Sequence, residues 1–415
     1  MRNHKKRVAI LGLGETGLAS ALFLKEKGYE VFVSDSQSSE TLEKRAARLR
    51  DENIPFELGS HTLEKIGQHD WVLISPGIPP STSVYRSLAK KGIPMVSEIE
   101  AASWFSPGEV IAVTGTSGKT TVTTLLARIF QAQGIASVAC GNIGNPWIGE
   151  IDHLSPETRV VLEVSSFQLL HTQTFRPRMG ILLNIGLNHL DWHPTMEDYV
   201  SAKLRLFQNQ SSEDLAFIRP KDRQTFFPDF SFRARVVYWG EGGEANSNEE
   251  LLYAVTRLEG LDLDKTREVL ARFEGLEHRL EEVAEIRGIH FVNDSKCTTL
   301  EALAWALERF SDPRVILLAG GHAKAGDFRA VREHLTKKVK RAVLYGEAQE
   351  LLWESWQGAV PLIRANDLAE AFQEALKAAE PGDTVLLSPA CASFDQFSNY
   401  KERGALFKDL TLKAR

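Results

Sequence analysis

A short glycine-rich turn constrains this chain more than any other feature. Val110-Ile111-Ala112-Val113 reads as a strand, Gly115-Thr116-Ser117-Gly118-Lys119-Thr120-Thr121 as a loop, and the largely apolar segment from Val122 to Phe130 as a helix. A strand, a glycine loop and a helix in that order aim backbone N–H groups at the positive end of the helix, where polyphosphate is the natural occupant. Lys119 would reach the outer phosphates, and the Thr120 hydroxyl would hold Mg²⁺. Val113 stands where the common pattern asks for its first glycine, so the loop is shorter than usual.

Around this loop the chain reads as three α/β blocks, each with short apolar strands alternating with helices. That pattern predicts an α/β fold of three domains with parallel sheets covered on both faces. The first block has strands at Arg7–Leu11, Val31–Asp35 and Trp71–Ser75 and closes near Ser97–Gly108, a plausible linker. The second has strands near 137–140, 160–163 and 180–184, and a degraded pattern from 208 to 250. The third has strands near 289–292, 314–318, 342–345 and 384–388, with a helix at 368–379.

Composition narrows the class. A net charge of −6 argues against a nucleic-acid binder. The three cysteines, Cys140, Cys297 and Cys391, show no metal or disulfide spacing and fit a reducing cytoplasm. No window approaches a membrane span. After the basic start, only Val8 to Leu13 is apolar before Glu15, which is too short for a signal-peptide core.

Gly12-x-Gly14-x-x-Gly17, with Asp35 ending the next strand, matches the dinucleotide fingerprint. The same geometry serves a nucleotide-diphosphate sugar or a structural turn, and all three readings stand on the motif alone. A triphosphate site in the next block weighs against hydride transfer. In that block Glu163 ends a strand, and His189 and Asp191 follow another. Strand C-termini converge in open parallel sheets, so Glu163 and His189 could approach the phosphate loop, and Glu163 suits Mg²⁺. Lys203, on an amphipathic helix, reads by itself as a solvated lysine.

Several longer signatures resemble one family in order along nearly the whole chain. They are Thr114 to Thr121, Gly141-Asn142-Ile143-Gly144, Glu163-Val164-Ser165-Ser166-Phe167-Gln168-Leu169, His278-Arg279, Asn293-Asp294-Ser295-Lys296 and Ser388 to Phe397. The chain resembles the Mur ligases, ATP-dependent amide-bond-forming enzymes of peptidoglycan assembly, and within them the D-glutamate-adding branch.

The resemblance implies that ATP phosphorylates the carboxylate of UDP-MurNAc-L-alanine and that the amine of D-glutamate attacks the acyl phosphate. It implies a Rossmann-like UDP-sugar domain (1–98), a central P-loop ATPase-type domain (99–275) and a Rossmann-like glutamate/ATP-contacting domain (276–415), which should close on the second. Lys119, Glu163, His189 and Lys203 would be catalytic. ATP would meet Gly115, Thr116, Ser117, Gly118, Lys119, Thr120, Thr121, Asn248, Arg279 and Asp294. Two Mg²⁺ are implied, one on Thr120 and Glu163, the other on His189 and a carbamylated Lys203. The UDP-sugar would meet Glu15, Thr16, Asp35, Ser36, Ser75, Gly77 and Asn142. D-glutamate would meet Lys296, Thr298, Lys324, Ser393, Phe394 and Tyr400. The family acts in the cytoplasm; the expected state is a monomer, and no nucleic-acid or membrane partner is implied.

Three departures from the family stand out. The stretch 208–250 is short, so part of a secondary sheet should be missing. Within Asn293-Asp294-Ser295-Lys296-Cys297-Thr298-Thr299, Cys and Thr stand where Ala and Asn are more usual, and His322 stands where an acidic residue is common. Competing readings are a folylpolyglutamate synthase, a silent UDP-sugar binder and an NAD(P) dehydrogenase.

Overall fold

The strand at Arg7–Leu11 (β1) opens the first of three sheets in the computed structural model, which describes residues 6–186, 192–240, 247–273, 275–311, 313–323 and 326–414. With β2 (Glu30–Asp35), β3 (Phe56–Leu58), β4 (Trp71–Ile74) and β5 (Met95–Val96) it forms a parallel sheet in the order β3-β2-β1-β4-β5.

The second sheet comprises β6 (Glu109–Thr114), β7 (Ser137–Gly141), β8 (Arg159–Glu163), β9 (Met179–Leu182), β10 (Leu215–Ile218) and β11 (Arg235–Tyr238). It is parallel throughout, in the order β11-β10-β9-β6-β8-β7. Val160, Val161 and Leu162 on β8 and Ile111, Ala112 and Val113 on β6 are all buried, as strands covered on both faces require. In the shortened stretch 208–250, both described strands join this main sheet.

The third sheet comprises β12 (Glu281–Ile286), β13 (Ile289–Asn293), β14 (Val315–Gly320), β15 (Val339–Tyr345), β16 (Leu362–Arg364) and β17 (Thr384–Ala390), in the order β12-β13-β17-β14-β15-β16. It is mixed. β12 pairs antiparallel with β13 at the edge, and the other pairs are parallel.

The chain divides into two compact units, Met1–Phe273 and Glu274–Arg415. The first unit contains both N-terminal sheets, and one apolar core runs through them. The reason lies in the stretch 98–108, which composition reads as a linker. It begins instead as a buried helix, Glu98–Ser103, capped by the Ser97 hydroxyl, which accepts from Glu100 N at 3.3 Å. The Glu100 carboxylate accepts the backbone N–H groups of Gln173, Thr174 and Phe175 at 2.8–3.0 Å, the Thr174 hydroxyl at 2.5 Å and the Trp104 indole N–H at 3.0 Å. Burial pushes this carboxyl up, but the bonds from Thr174, Gln173 and Trp104 outweigh it and hold the pKa below the ordinary value. A carboxylate so saturated fixes the helix to the loop before β9.

Candidate active site

Register alone brings the key strand ends together in the central sheet. Val113 on β6 lies opposite Glu163 on β8 and Ile181 on β9, and Glu163 lies opposite Gly141 on β7. The phosphate loop, Glu163, Asn142 and Asn184 therefore leave the sheet at one edge.

The loop needs its glycines. Gly115 has φ 156°, and a Cβ there would meet Leu183 Cβ at 2.9 Å. Gly118 has φ 79° and stands as N-cap of the helix Lys119–Ala132 with no side chain to cap it. An anion is the natural cap for such a terminus. Asn248 lies over this point, its Nδ2 3.6 Å from where a Gly118 Cβ would sit. Thr120 and Thr121 follow in the first turn.

The N–H groups of Thr116 and Ser117 have a protein partner. Both donate to Asn184 Oδ1, at 3.1 and 2.9 Å, and Asn184 Nδ2 donates back to Ser117 O at 3.2 Å. Tyr199 OH lies 3.0 Å from Thr116 Oγ1, which accepts Gly186 N at 2.9 Å. Asn184 and Tyr199 were not among the residues the sequence singled out. The only signal for Asn184 was its place just past a strand end.

Lys119 folds onto its own loop, donating to Gly115 O at 2.9 Å and Thr116 O at 3.0 Å. Lys203 is 1% exposed rather than the solvated lysine its helix suggested. Its Nζ also donates to Gly115 O, at 2.9 Å, and lies 4.5 Å from the Tyr199 ring centroid. Burial, with Lys119 nearby, pushes the Lys203 pKa well below the ordinary lysine value.

Glu163 is 2% exposed. Its Oε1 accepts Asn142 Nδ2 at 2.8 Å, whereas the buried Oε2 has no hydrogen-bond partner among the described residues. A buried carboxylate oxygen left so costs free energy unless a cation or donor meets it. His189 and Asp191 lie outside the described residues, as does Lys324. The structure also shows His193, buried with Nε2 3.0 Å from Ser166 Oγ and its ring stacked on Phe167.

In the first sheet the glycine turn is tightly built. A Cβ on Gly17 would lie 1.9 Å from Gly12 O. Both Asp35 oxygens accept backbone N–H groups, Leu13 N at 2.7 Å and Gln37 N at 2.9 Å. Asp35 thus holds the turn itself. Ser75 Oγ lies beside Gly12 and accepts Gly77 N at 3.3 Å. Glu15, Thr16 and Ser36 stand at the same strand ends, with Thr16 half-buried and the other two exposed.

The second unit gathers its own set. Asp294, just past β13, accepts Ser388 Oγ at 2.8 Å and Leu280 N at 3.3 Å. Burial raises its pKa to about 7 against the pull of Ser388 and Arg279. Lys296 Nζ lies 3.9 Å from the Tyr400 ring centroid, Thr298 is half-buried and Ser393 is buried. Phe394 is 71% exposed. His322, the departure from an acidic residue, pairs its backbone with Ala392 and lies 2.8 Å from a Glu347 oxygen.

The sequence matches the Mur ligase MurD-like N-terminal domain over residues 6–97, the Mur ligase middle domain over 113–268 and the Mur ligase glutamate ligase domain over 278–391. The chain belongs to the Mur ligase family. Its relatives include the UDP-N-acetylmuramoylalanine–D-glutamate ligase of Acidobacterium capsulatum, 38% identical over 447 residues covering 99% of this chain and 97% of that one. The enzyme of the same name from Pelotomaculum thermopropionicum is 35% identical over 99% of this chain and 98% of its own. The fold is that of the Thermotoga maritima MurF ligase crystallised with ADP, at 17% identity and TM-score 0.61 over the whole of both chains.

Proposed function

We propose that this chain joins D-glutamate to UDP-N-acetylmuramoyl-L-alanine, with ATP consumed through an acyl phosphate, in peptidoglycan precursor synthesis. Full-length similarity to D-glutamate ligases carries the reading. No helix among the described residues is long and apolar enough to cross a membrane. A monomer working in the cytoplasm fits small-molecule substrates.

A carboxylate does not exchange hydroxide for an amine at useful rates, so it must first be activated. Phosphoryl transfer asks chiefly for positioning and charge neutralisation. Lys119 exchanges its two loop carbonyls for phosphate oxygens, and the helix N-terminus at Gly118 supports the same charge. The residues fit magnesium: Glu163 offers a buried oxygen without a partner among the described residues, and Asn142 steadies the other. Thr120 and Glu163 would hold one Mg²⁺, with His189 and a carbamylated Lys203 for a second. These ions would neutralise charge on the phosphates and the substrate carboxylate.

Glu15, Thr16, Asp35, Ser36, Ser75 and Gly77 form the UDP side within 1–98, and Asn142 the muramoyl-alanine side. Arg279, Asp294 and Asn248 serve the nucleotide. Lys296, Thr298, Lys324, Ser393, Phe394 and Tyr400 serve D-glutamate, whose two carboxylates suit cations and hydroxyls.

The test is phosphate release with UDP-N-acetylmuramoyl-L-alanine, ATP and Mg²⁺, comparing D-glutamate, L-glutamate, meso-diaminopimelate and no amine. Release should require D-glutamate and fall by about a thousandfold in Lys119→Ala. Dependence on another amine would overturn the substrate, and release with no amine would overturn the ligase reading.

A further inference from the structure

Arg403, on the helix Tyr400–Lys413, is fully buried, yet every acceptor it meets is a carbonyl or a hydroxyl. Its Nε donates to Ser295 Oγ at 3.0 Å and its Nη2 to Ser295 O at 2.8 Å. Its Nη1 faces Cys391 O at 3.1 Å, Ala392 O at 3.3 Å and Gly320 O at 3.4 Å. Among the described residues, no carboxylate forms an ion pair with it. A buried cation without a counter-ion is costly and survives only where its donors are met. A guanidinium meets them here because its planar fork reaches acceptors on several sides at once, which a lysine cannot do.

Those acceptors are not scattered. Ser295 follows β13, Gly320 ends β14, and Cys391 and Ala392 follow β17. One side chain therefore ties the C-terminal ends of three neighbouring strands. The fit leaves no slack: a Cβ on Gly321 would lie 2.1 Å from Ala392 O and 3.1 Å from Arg403 Nη1. Ser295 passes the constraint on, since its hydroxyl donates to Tyr400 O at 2.8 Å. Lys296 is the next residue and lies over the Tyr400 ring. Ser393 follows Ala392.

We propose that Arg403 is a positioning residue that holds Lys296, Tyr400 and Ser393 as one set for D-glutamate. This rests on the assignment of those three residues to the glutamate side. The occupant favoured by the chemistry is an amino acid with two carboxylates.

The experiment measures kcat and the KM of each substrate for Arg403→Lys, Ser295→Ala, their double variant and Lys296→Ala. Arg403→Lys and Ser295→Ala should each raise the D-glutamate KM by about tenfold, as loss of a charged hydrogen bond does. The KM for UDP-N-acetylmuramoyl-L-alanine should stay within about twofold, because none of these changes touches a residue assigned to that substrate. The double variant should lose less than the product of the single losses. If Arg403→Lys does not fold, Ser295→Ala decides alone. The positioning role is overturned if Lys296→Ala raises the D-glutamate KM while Ser295→Ala and any folded Arg403→Lys leave it unchanged, or if those variants only lower kcat with all KM values kept. If Lys296→Ala itself leaves the D-glutamate KM unchanged, the glutamate-side assignment fails, and the proposal with it.

Discussion

Lys203 and Lys119 share one acceptor: each ammonium nitrogen lies 2.9 Å from the carbonyl oxygen of Gly115. Two full charges at one buried oxygen repel, and burial decides which gives up its proton. Lys203 is the buried partner, with its pKa driven well down. Its neutral amine can add to CO₂ and release a proton, giving a carbamate whose oxygens suit a hard cation. With ¹³CO₂ the wild type should show a carbamate carbon resonance that Lys203→Ala lacks. Removal of CO₂ should lower kcat, bicarbonate should restore it, and Lys203→Ala should lose about a hundredfold. A wild-type enzyme indifferent to CO₂, with no such resonance, would sink carbamylation.

The Glu163–Asn142 pair predicts metal dependence. Asn142 Nδ2 fixes one carboxylate oxygen and leaves the other buried, without a partner among the described residues. Asn142→Ala should raise the half-saturating Mg²⁺ concentration by about tenfold, the effect of losing an orienting bond. Glu163→Gln should raise it by about a hundredfold, since a ligand is then lost outright. A Mg²⁺ titration of phosphate release checks both. An unchanged midpoint in Glu163→Gln would remove Glu163 from the metal site.

The placement of the phosphate loop and Glu163 was legible because both sit at strand ends that a parallel sheet must bring together. Lys119 and Glu163 are placed by that rule alone. Lys203 was not, because periodicity placed it on a helix and could not report that its amine points into the sheet edge. Ser97-Glu98-Ile99-Glu100 carried a readable helix start, Ser at the cap and Glu three residues on, but the nearby Ser106-Pro107-Gly108 suggested a linker. β12 escaped notice because half of Glu281–Ile286 is charged, as an edge strand tolerates. β3 and β5 are three and two residues long, too short for a pattern. Arg403 left no signal, since nothing in a basic residue on a charged helix announces burial.

Asn184 predicts how far loop geometry matters to the nucleotide. It holds the N–H groups of Thr116 and Ser117 from the end of the neighbouring strand. Asn184→Ala removes the bonds to Ser117 N and Ser117 O, leaves Thr116 N only the backbone oxygen of residue 184, and loosens the turn before Gly118. Affinity for a fluorescent ADP analogue should fall by about tenfold, the cost of two such bonds, while the KM for D-glutamate holds. Unchanged nucleotide affinity would mean that the glycines alone set the loop.

Glu98 gives a prediction on stability. Its carboxyl is buried, with Oε1 accepting Ile148 N at 2.6 Å and Oε2 without a hydrogen-bond partner among the described residues. Burial raises its pKa from 4.5 to about 7. Between those values the folded chain keeps a proton that the unfolded chain has lost, so stability falls as pH rises through that window. Above pH 7 the folded state carries a buried charge, at a cost of about 3 kcal/mol at most. Glu98→Gln keeps the acceptor for Ile148 N and cannot ionise. Its melting temperature should match the wild type near pH 4.5, move above it as pH rises and level off past pH 7. Thermal melts across that range check this. A difference that stays constant with pH would show that Glu98 titrates alike in both states, and its burial would then have to be relieved by water reaching Oε2.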